Sequence, residues 1–338
     1  MTVLGWWHPV LTTVIQSTRT RACRVCVDWS VWQCDSTPST RAWTRYRTVR
    51  SSVRWVGNGR RSNLPRMTET TATDTAAIVI DDVTIRRGPN TLVENFSVTI
   101  PTGTHWAVLG PNGAGKSTML KMAGGRLYPT TGTVQILGEE LGRTAVQELQ
   151  KRIGYVDPKQ RLDDLTAEEL VLSGVSGSNG YIQRFEYTDA HRARTAELLT
   201  LVGMDHRADR TWRQMSQGEK ARTLIARALV TEPEMLLLDE PSTGLDLPGR
   251  ETLLRVVDDL RAAMPGLTTV LITHHVEEVA ASTTDVLMVK DGGVLASGPM
   301  EQVMTAENLG VLYDMDVQLE RVRGRWFAFS DVPATATD

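Results

Sequence analysis

The chain contains very little cysteine: three residues among 338, all before position 35. Disulfides therefore cannot stabilise most of the chain, which is typical of proteins from a reducing compartment. Cys23 and Cys26 form a C-x-x-C pair, but a structural zinc site needs four ligands, and only Cys34 and the distant His8 are added here. The sequence argues against a disulfide-stabilised fold and against a structural zinc site.

Long hydrophobic runs are also missing. No segment reaches the run of about 18 apolar residues that a membrane-spanning helix needs. The first residues, MTVLGWWHPVLTTVIQ, lack a basic n-region and a small-residue cleavage site, so they make a poor signal peptide. These absences predict a cytoplasmic protein, which reaches the inner face of the cell membrane only through a membrane-spanning partner.

Residues 1–66 lack both lysine and glutamate, although they hold eleven arginines and six of the nine tryptophans. Arginine with interleaved tryptophan suits binding to nucleic acid or to acidic membranes. The segment has no helical or strand periodicity, however, so we favour a disordered or non-native extension. On this interpretation the chain proper starts at Met67, and residues 67–75 form a leader.

From Ala76 onward, strand-like and helix-like patterns alternate. Short alternating segments are followed by continuous apolar runs, which are typical of parallel strands buried on both faces. A helix-rich stretch covers about 160–215, and a hairpin with a glycine-containing turn is indicated at 285–298. We predict one α/β domain over 76–338, with a parallel sheet, an antiparallel β portion and a helical insertion. The predicted strands lie near 77–85, 96–100, 105–110, 235–240 and 269–275, and further helices near 216–231 and 250–264.

The sequence GPNGAGKST satisfies the phosphate-loop pattern G-x-x-x-x-G-K-[ST] and lies between a strand-like and a helical segment. Its glycines allow backbone N–H groups to close around phosphate oxygens. Lys116 is predicted to reach the β- and γ-phosphates, and Ser117 to bind Mg²⁺. The predicted ATP-binding residues of this loop are Gly110, Pro111, Asn112, Gly113, Ala114, Gly115, Lys116, Ser117 and Thr118.

Two acidic residues end the apolar segment MLLLDE. A carboxylate at the end of a buried strand has no packing role, so we predict that Asp239 joins Ser117 in holding Mg²⁺. Glu240 is predicted to polarise the attacking water as the catalytic base. His274, in the segment LITHH, is predicted to contact the γ-phosphate, and its neighbour His275 remains the alternative for this role.

A second helix start lies at QMSQGEKARTLIARAL. Ser216 is followed three residues later by Glu219, which predicts a capping box. With Gly218 beside it, this helix N-terminus is a natural anion site. The phosphate loop opens a different, earlier helix and has no second copy, so the anion expected here does not come from a second loop of this chain.

The segments GPNGAGKST, QMSQGEK, LLLDEPSTGLD and LITHH, in this order, resemble the nucleotide-binding domain of ABC-type ATPases over residues 76–300. The resemblance implies a P-loop NTPase core that binds and hydrolyses ATP with Mg²⁺. It also implies that two domains meet head to tail, with the helix after MSQGE facing the γ-phosphate of ATP held by a second copy. The residues implied in this contact across the dimer are Ser216, Gln217, Gly218, Glu219 and Asp246.

Two positions depart from the family pattern. Family members usually have an aromatic residue that stacks on adenine before the glycine of the first turn, and Arg87 stands there. A planar guanidinium can also stack on a base, so Arg87 is predicted to contact the nucleotide. In the segment IGYVDPKQ, Pro158 stands where a glutamine is usual, and Gln160 follows two residues later. This difference bears on coupling to a permease.

The overall pattern is most similar to stand-alone ATP-binding proteins grouped with metal- or molybdate-type import systems. We therefore expect the ATPase subunit of an ABC transporter, which works as a head-to-tail dimer with a separate permease. The alternative is a soluble ABC ATPase that acts on a cytosolic assembly, such as the ribosome or nucleic acid. No direct nucleic-acid partner is expected, because relatives that act on the ribosome usually carry two such domains and this chain has one. A small-molecule kinase would leave MSQGEK and STGLD without a role.

Overall fold

The computed structural model describes residues 76–330. The predictions for the arginine- and tryptophan-rich segment, for a start at Met67 and for the leader at 67–75 lie outside the described residues. The domain boundaries drawn from the sequence therefore stay predictions.

The described chain contains twelve strands and eight α-helices. The strands are β1 (Ala76–Arg87), β2 (Asn90–Pro101), β3 (His105–Leu109), β4 (Thr131–Ile136), β5 (Glu139–Glu140), β6 (Ile153–Val156), β7 (Met235–Asp239), β8 (Thr268–Ile272), β9 (Asp285–Lys290), β10 (Gly293–Pro299), β11 (Gln318–Val322) and β12 (Arg325–Phe329). The helices are α1 (Lys116–Ala123), α2 (Val146–Lys151), α3 (Ala167–Ser173), α4 (Asp189–Leu201), α5 (Gln217–Leu229), α6 (Leu247–Ala263), α7 (Met300–Val303) and α8 (Ala306–Tyr313).

A six-stranded sheet forms the centre of the fold, in the order β10-β9-β3-β8-β7-β6. All its neighbours are parallel except β9 and β10, which form the predicted hairpin. Strands β3 and β8 are buried at every residue, as expected for apolar parallel strands covered on both faces. Parallel strands end at the same edge, so the segments that follow β3, β7 and β8 come together there.

A second, antiparallel sheet has the order β2-β1-β4-β5. One hydrophobic cluster joins the inner face of this sheet, the apolar side of α1 and one face of the central sheet. Met119, Leu120 and Met122 of α1 are fully buried in it. Helix α1 is therefore fixed between the two sheets, and the phosphate loop that precedes it has a rigid support.

The helical insertion lies on the other side of the central sheet. A second cluster contains buried residues of α3, α4, α5 and α6 together with Leu236 and Leu238 of β7. Capping boxes begin α3 at Thr166 and α4 at Thr188. The insertion predicted near 160–215 is thus present, and α5 follows it directly.

Helix α6 begins at Leu247, three residues before its predicted start at Arg250. The reason is that the Asp246 carboxylate accepts a hydrogen bond from the Gly249 N–H at 2.9 Å and caps the helix. Pro248 fits the first turn, where its missing N–H has no intrahelical acceptor.

The segment after residue 300 was not assigned from the sequence. It forms α7, α8 and the β11–β12 hairpin. A third cluster joins Leu309 and Leu312 of α8 to Val276 and Val279, which follow β8. This segment therefore packs against the chain that leaves the central sheet.

Within residues 76–330, every helix is too short or too polar to cross a bilayer.

Candidate active site

The phosphate loop runs from the end of β3 into α1, as predicted. Gly113 and Gly115 have positive φ angles of 83° and 102°, which glycine adopts without strain. A Cβ atom on Gly110 would lie 2.2 Å from the Val289 carbonyl oxygen, so this position leaves no room for a side chain. Gly115 caps α1 without a side-chain hydrogen bond. The first N–H groups of α1 therefore have no capping side chain to bind them.

Lys116 lies at the centre of this loop. Its ammonium group donates to the carbonyl oxygens of Gly110 and Pro111 at 2.7 and 2.9 Å, and the residue is 5 % exposed. Burial lowers the pKa of Lys116, an effect opposed by the charges of Glu240 and Asp239. By contrast, Asn112 and Gly113 are exposed. The loop thus has a buried cation beneath it and an open outer surface.

Asp239 meets the phosphate loop through Ser117. The Ser117 hydroxyl donates to Asp239 Oδ1 at 2.9 Å, and the Tyr155 hydroxyl donates to Oδ2 at 3.4 Å. Burial raises the pKa of Asp239, and the hydrogen bond from Ser117 opposes this rise. A hydroxyl and a carboxylate in contact are suitable ligands for Mg²⁺, which takes few protein ligands and completes its shell with phosphate oxygens and water.

Glu240 lies next to Asp239 and faces a different set of groups. Its backbone has a positive φ of 50°, an uncommon conformation for glutamate, and its N–H donates to the Ile272 carbonyl at 3.2 Å. His274 Nδ1 lies 3.6 Å from Glu240 Oε1, and Lys159 Nζ lies 4.0 Å from Oε2. The exposed Lys159 was not singled out from the sequence.

The choice between the two adjacent histidines follows from these contacts. His274 Nδ1 is buried and has no hydrogen-bond partner among the described residues, and it faces Glu240. The His275 ring faces Glu277 instead, at 3.9 Å. The geometry favours His274 for a role beside Glu240.

The predicted capping box at the start of α5 is present. Glu219 N–H donates to Ser216 Oγ at 3.3 Å, and Ser216 N–H donates to Glu219 Oε2 at 2.8 Å. The side chains of Ser216 and Gln217 remain exposed. Gly218 lies against the start of α6, since a Cβ added to it would be 3.5 Å from Gly249 Cα.

The Glu219 side chain is engaged by groups of its own chain. The residue is 1 % exposed, and its carboxylate accepts from Arg210 Nη1 at 3.0 Å and pairs with Arg207. All its oxygens are directed to groups of its own chain. The Glu219 side chain therefore holds the loop before α5, and a contact of this residue with nucleotide across a dimer stays a prediction.

A pocket of about 480 Å³ opens at this helix start. Its lining combines the first residues of α5 with the segment before and at the start of α6, including Asp246. Among the described residues that line it, none belongs to the phosphate loop. The α5 start thus faces a surface separate from the site formed by Lys116, Asp239 and Glu240. The lining residues are Arg207, Ser216, Gln217, Gly218, Glu219, Arg222, Gly244, Leu245, Asp246, Pro248, Gly249 and Thr252.

Arg87 and Pro158 are the two positions that depart from the family pattern, and the structure shows what surrounds them. Arg87 is exposed at the end of β1, in the turn that leads to Leu92 and Val93, and these two residues lie against Gly115 of the phosphate loop. The Gln160 amide donates to Asn179 Oδ1 at 2.6 Å in the helical insertion. Gln160 therefore does not take the position that Pro158 leaves without a glutamine, whereas Lys159 lies beside Glu240.

Two other contacts of the site could not be found from sequence. Tyr155, on β6, reads as one more buried residue in the apolar segment IGYV, and only the pairing of β6 with β7 brings it to Asp239. Tyr313, on α8, donates to the His274 carbonyl at 3.1 Å. Neither residue lies in a recognisable motif, so the sequence carried no signal for them.

Comparisons with protein families and with individual proteins indicate the same family. A family model described as ABC transporter matches residues 93–243. The chain is 32 % identical over 255 residues to a putative ABC transporter ATP-binding protein of Streptococcus mutans, covering 75 % of this chain and 97 % of that protein. It is 37 % identical over 243 residues to the cobalt import ATP-binding protein CbiO of Rhodobacter capsulatus, covering 70 % of this chain and 85 % of that protein.

A solved structure with the same fold is the dimeric, post-hydrolysis ATP-binding cassette MJ0796 bound to ADP and Pi. The TM-score is 0.57 and the sequence identity 27 %, with 66 % of this chain and 98 % of that chain covered.

Proposed function

Because this chain belongs to the family of ABC transporter ATP-binding proteins, we propose that it hydrolyses ATP as a head-to-tail dimer bound to a separate membrane permease. The chain is an ATPase subunit of this family. The relatives are named for transport, which favours a transporter subunit over the alternative of an ATPase that acts on a cytosolic assembly.

One observation carries the proposal: Lys116, Ser117, Asp239, Glu240 and His274 meet at the edge where β3, β7 and β8 end. Backbone N–H groups of 110–118 and the Lys116 ammonium hold the phosphates of ATP. Lys116 must exchange its two carbonyl acceptors for phosphate oxygens, which are stronger acceptors because they are charged. Arg87 stacks on the adenine.

Ser117 and Asp239 would hold Mg²⁺, which neutralises charge on the β- and γ-phosphates during transfer. Glu240 orients the attacking water and accepts its proton. His274, which faces Glu240 at 3.6 Å, contacts the γ-phosphate on the same side. These roles divide the site into residues that bind phosphate and residues that act on water.

The outer surface of the phosphate loop is open, and the α5 start lies on a separate surface. In a head-to-tail dimer each open surface receives the partner's α5 start. Ser216, Gln217 and Gly218 then contribute N–H and hydroxyl donors to the γ-phosphate of the other copy, and Asp246 lies beside them. Each ATP is held between two chains.

A permease would supply the membrane-spanning part that residues 76–330 do not provide. Such a protein stays on the cytoplasmic side, at the inner face of the membrane. The similarity to a cobalt import protein supports the metal-import group suggested by the sequence.

The test of the catalytic assignment is ATP hydrolysis by the purified full chain with Mg²⁺ and with excess EDTA. We expect hydrolysis that requires Mg²⁺. Full hydrolysis in EDTA, or none in Mg²⁺, would contradict the proposal.

The test for the permease is to isolate a tagged chain bearing Glu240→Gln from detergent-solubilised membranes of its source. A polytopic membrane protein should co-purify, and its consistent absence would favour the cytosolic alternative.

A further inference from the structure

The chain on both sides of His274 is held by hydrogen bonds to its neighbours. On its N-terminal side, Thr273 N–H donates to the Val108 carbonyl at 3.1 Å, and the Thr273 hydroxyl donates to the buried Glu278 carboxylate. On its C-terminal side, His275 N–H donates to Thr273 Oγ1 at 3.1 Å. The His274 carbonyl takes no part in these contacts and is bound by another part of the chain.

That carbonyl is bound from outside the central sheet. The hydroxyl of Tyr313, the last residue of α8, donates to the His274 carbonyl oxygen at 3.1 Å. Burial raises the pKa of Tyr313 to about 12, with a smaller contribution from Glu277. The hydroxyl therefore stays protonated and remains a donor well above neutral pH.

A second contact reaches the same segment from β12. The Arg325 guanidinium donates to the Glu277 carbonyl through one nitrogen and pairs with the Glu251 carboxylate through another. Glu251 lies near the start of α6, which Asp246 caps. Arg325 therefore ties the chain after His274 to the helix that begins at the proposed dimer surface.

Packing keeps both donors in position. Leu309 and Leu312 of α8 share a buried cluster with Val276 and Val279, and Trp326 of the hairpin packs against that cluster. A segment anchored in this way has little freedom, so its polar contacts lose little entropy when they form. Because a backbone carbonyl fixed in space restricts the peptide that carries it, these contacts restrict where the His274 ring can lie.

We propose that Tyr313, with support from Arg325, is a positioning residue for His274, so that the chain after residue 300 sets the rate of ATP hydrolysis. Tyr313 touches neither nucleotide nor water; it acts through the His274 backbone. The inference rests on the role proposed for His274. It adds that this role depends on α8 and the β11–β12 hairpin, which lie beyond the part of the chain that the family model matches.

The experiment is a double-mutant cycle on the full chain, with hydrolysis measured in single turnover. Tyr313→Phe should lower the rate about fivefold, the effect of one hydrogen bond, and change ATP affinity by less than about twofold. In a His274→Gln background, Tyr313→Phe should change the remaining rate by less than about 1.5-fold. Arg325→Gln should behave in the same way with a smaller effect.

Matched controls separate positioning from general damage. Tyr128→Phe alters an exposed tyrosine, and Arg321→Gln, on the same hairpin as Arg325, breaks an exposed ion pair with Glu301 of α7. Both should hydrolyse ATP at the unmodified rate. Thermal unfolding should show that Tyr313→Phe is folded at the assay temperature.

Three outcomes decide the matter. A Tyr313→Phe rate equal to the unmodified rate overturns the inference, and so does an equal loss in the His274→Gln background, because Tyr313 would then act independently of His274. If His274→Gln itself hydrolyses ATP at the unmodified rate, the role proposed for His274 fails first. The expected result is a loss with Tyr313→Phe that disappears once His274 is replaced.

Discussion

The two helices that we propose to bind phosphate at their N-termini, α1 and α5, are built differently. Helix α1 follows Gly115 with no side-chain cap, Lys116 is its first residue, and the Asp239 carboxylate accepts a hydrogen bond from Ser117 in its first turn. Helix α5 starts at Ser216 with a closed capping box, and its nearest acidic group, Glu219, is neutralised by Arg207 and Arg210. The first helix therefore has catalytic groups beside it, whereas the second offers a stable set of donors.

The difference between the uncapped start of α1 and the capped start of α5 determines which chemistry each helix can support. An open N-terminus with a buried cation binds a charged ligand strongly, and acids behind it provide ligands for a metal and a base for water. A capped N-terminus with exposed Ser216 and Gln217 can recognise an anion, but it has no groups to react with it. In the proposed function, the molecule therefore has one catalytic half and one recognition half, and the two lie on separate surfaces.

Replacing Lys116, the cation at the start of α1, should have the largest effect on ATP binding. Lys116→Ala removes charged donors from the phosphates, and we expect ATP affinity to fall by about 100-fold or more. The measurement is a titration with fluorescent ATP, and Lys121→Ala, at an exposed position on the same helix, is the control. If Lys116→Ala bound ATP normally, the α1 start would not be the nucleotide site.

Removing the proposed base should separate binding from turnover. Glu240→Gln should bind ATP like the unmodified protein and lower the hydrolysis rate by about 100-fold to 10,000-fold, the usual contribution of a general base. Glu232→Gln is a matched control, because Glu232 also has a positive φ, 52°, and its side chain is exposed. Near-normal hydrolysis by Glu240→Gln would require another base.

A bulky side chain at the start of α5 should leave binding intact and stop turnover. In Ser216→Arg we expect the monomer to bind ATP within about twofold of normal and hydrolysis to fall about 100-fold, as when donors to developing charge are removed. Thr200→Arg adds the same side chain at an exposed position on α4 and should hydrolyse ATP normally. A parallel loss of ATP binding in Ser216→Arg would mean that α5 serves its own nucleotide.

The smallest expected effect concerns stability. Burial raises the pKa of Asp239, so the folded protein without nucleotide holds this proton more tightly than the unfolded chain does. Ionisation of Asp239 therefore destabilises the fold as pH rises above the ordinary carboxyl range. Asp239→Asn should raise the unfolding midpoint at pH 7, and the gain should shrink towards pH 4.

Thermal unfolding at a series of pH values measures this difference, with Asp316→Asn as an exposed control. A lower midpoint for Asp239→Asn at pH 7 would show that the carboxylate stabilises the fold through contacts with Ser117 and Tyr155 instead.

Local patterns made most of the central fold predictable. Apolar runs marked β7 and β8, because strands covered on both faces need no polar alternation. The phosphate-loop spacing marked the α1 start, and Ser216 with Glu219 marked the α5 start. Each of these signals depends on residues close together in the chain.

The site contacts that the sequence did not reveal join residues that are far apart in the chain. Tyr155 reaches Asp239 only because β6 pairs with β7, and Tyr313 reaches His274 only because α8 packs beside β9 and the chain after β8. The residues that predicted the capping box did not reveal the ion-pair partners of Glu219. Its carboxylate pairs with Arg207 and Arg210, which lie in the preceding loop and belong to no motif.

The most direct test of the proposal that the α5 start binds the ATP held at α1 of a second copy is the mass of the Glu240→Gln chain in solution. It is measured by size-exclusion chromatography with light scattering. With ATP and Mg²⁺ we predict a dimer, because bound ATP is not consumed and each α5 start meets the γ-phosphate on the other copy. Without nucleotide we predict a monomer. Adding Ser216→Arg should keep the chain monomeric with ATP while each monomer still binds it. A dimer of the same mass and stability in the double variant would contradict the account, because the contact between copies would then not involve the start of α5.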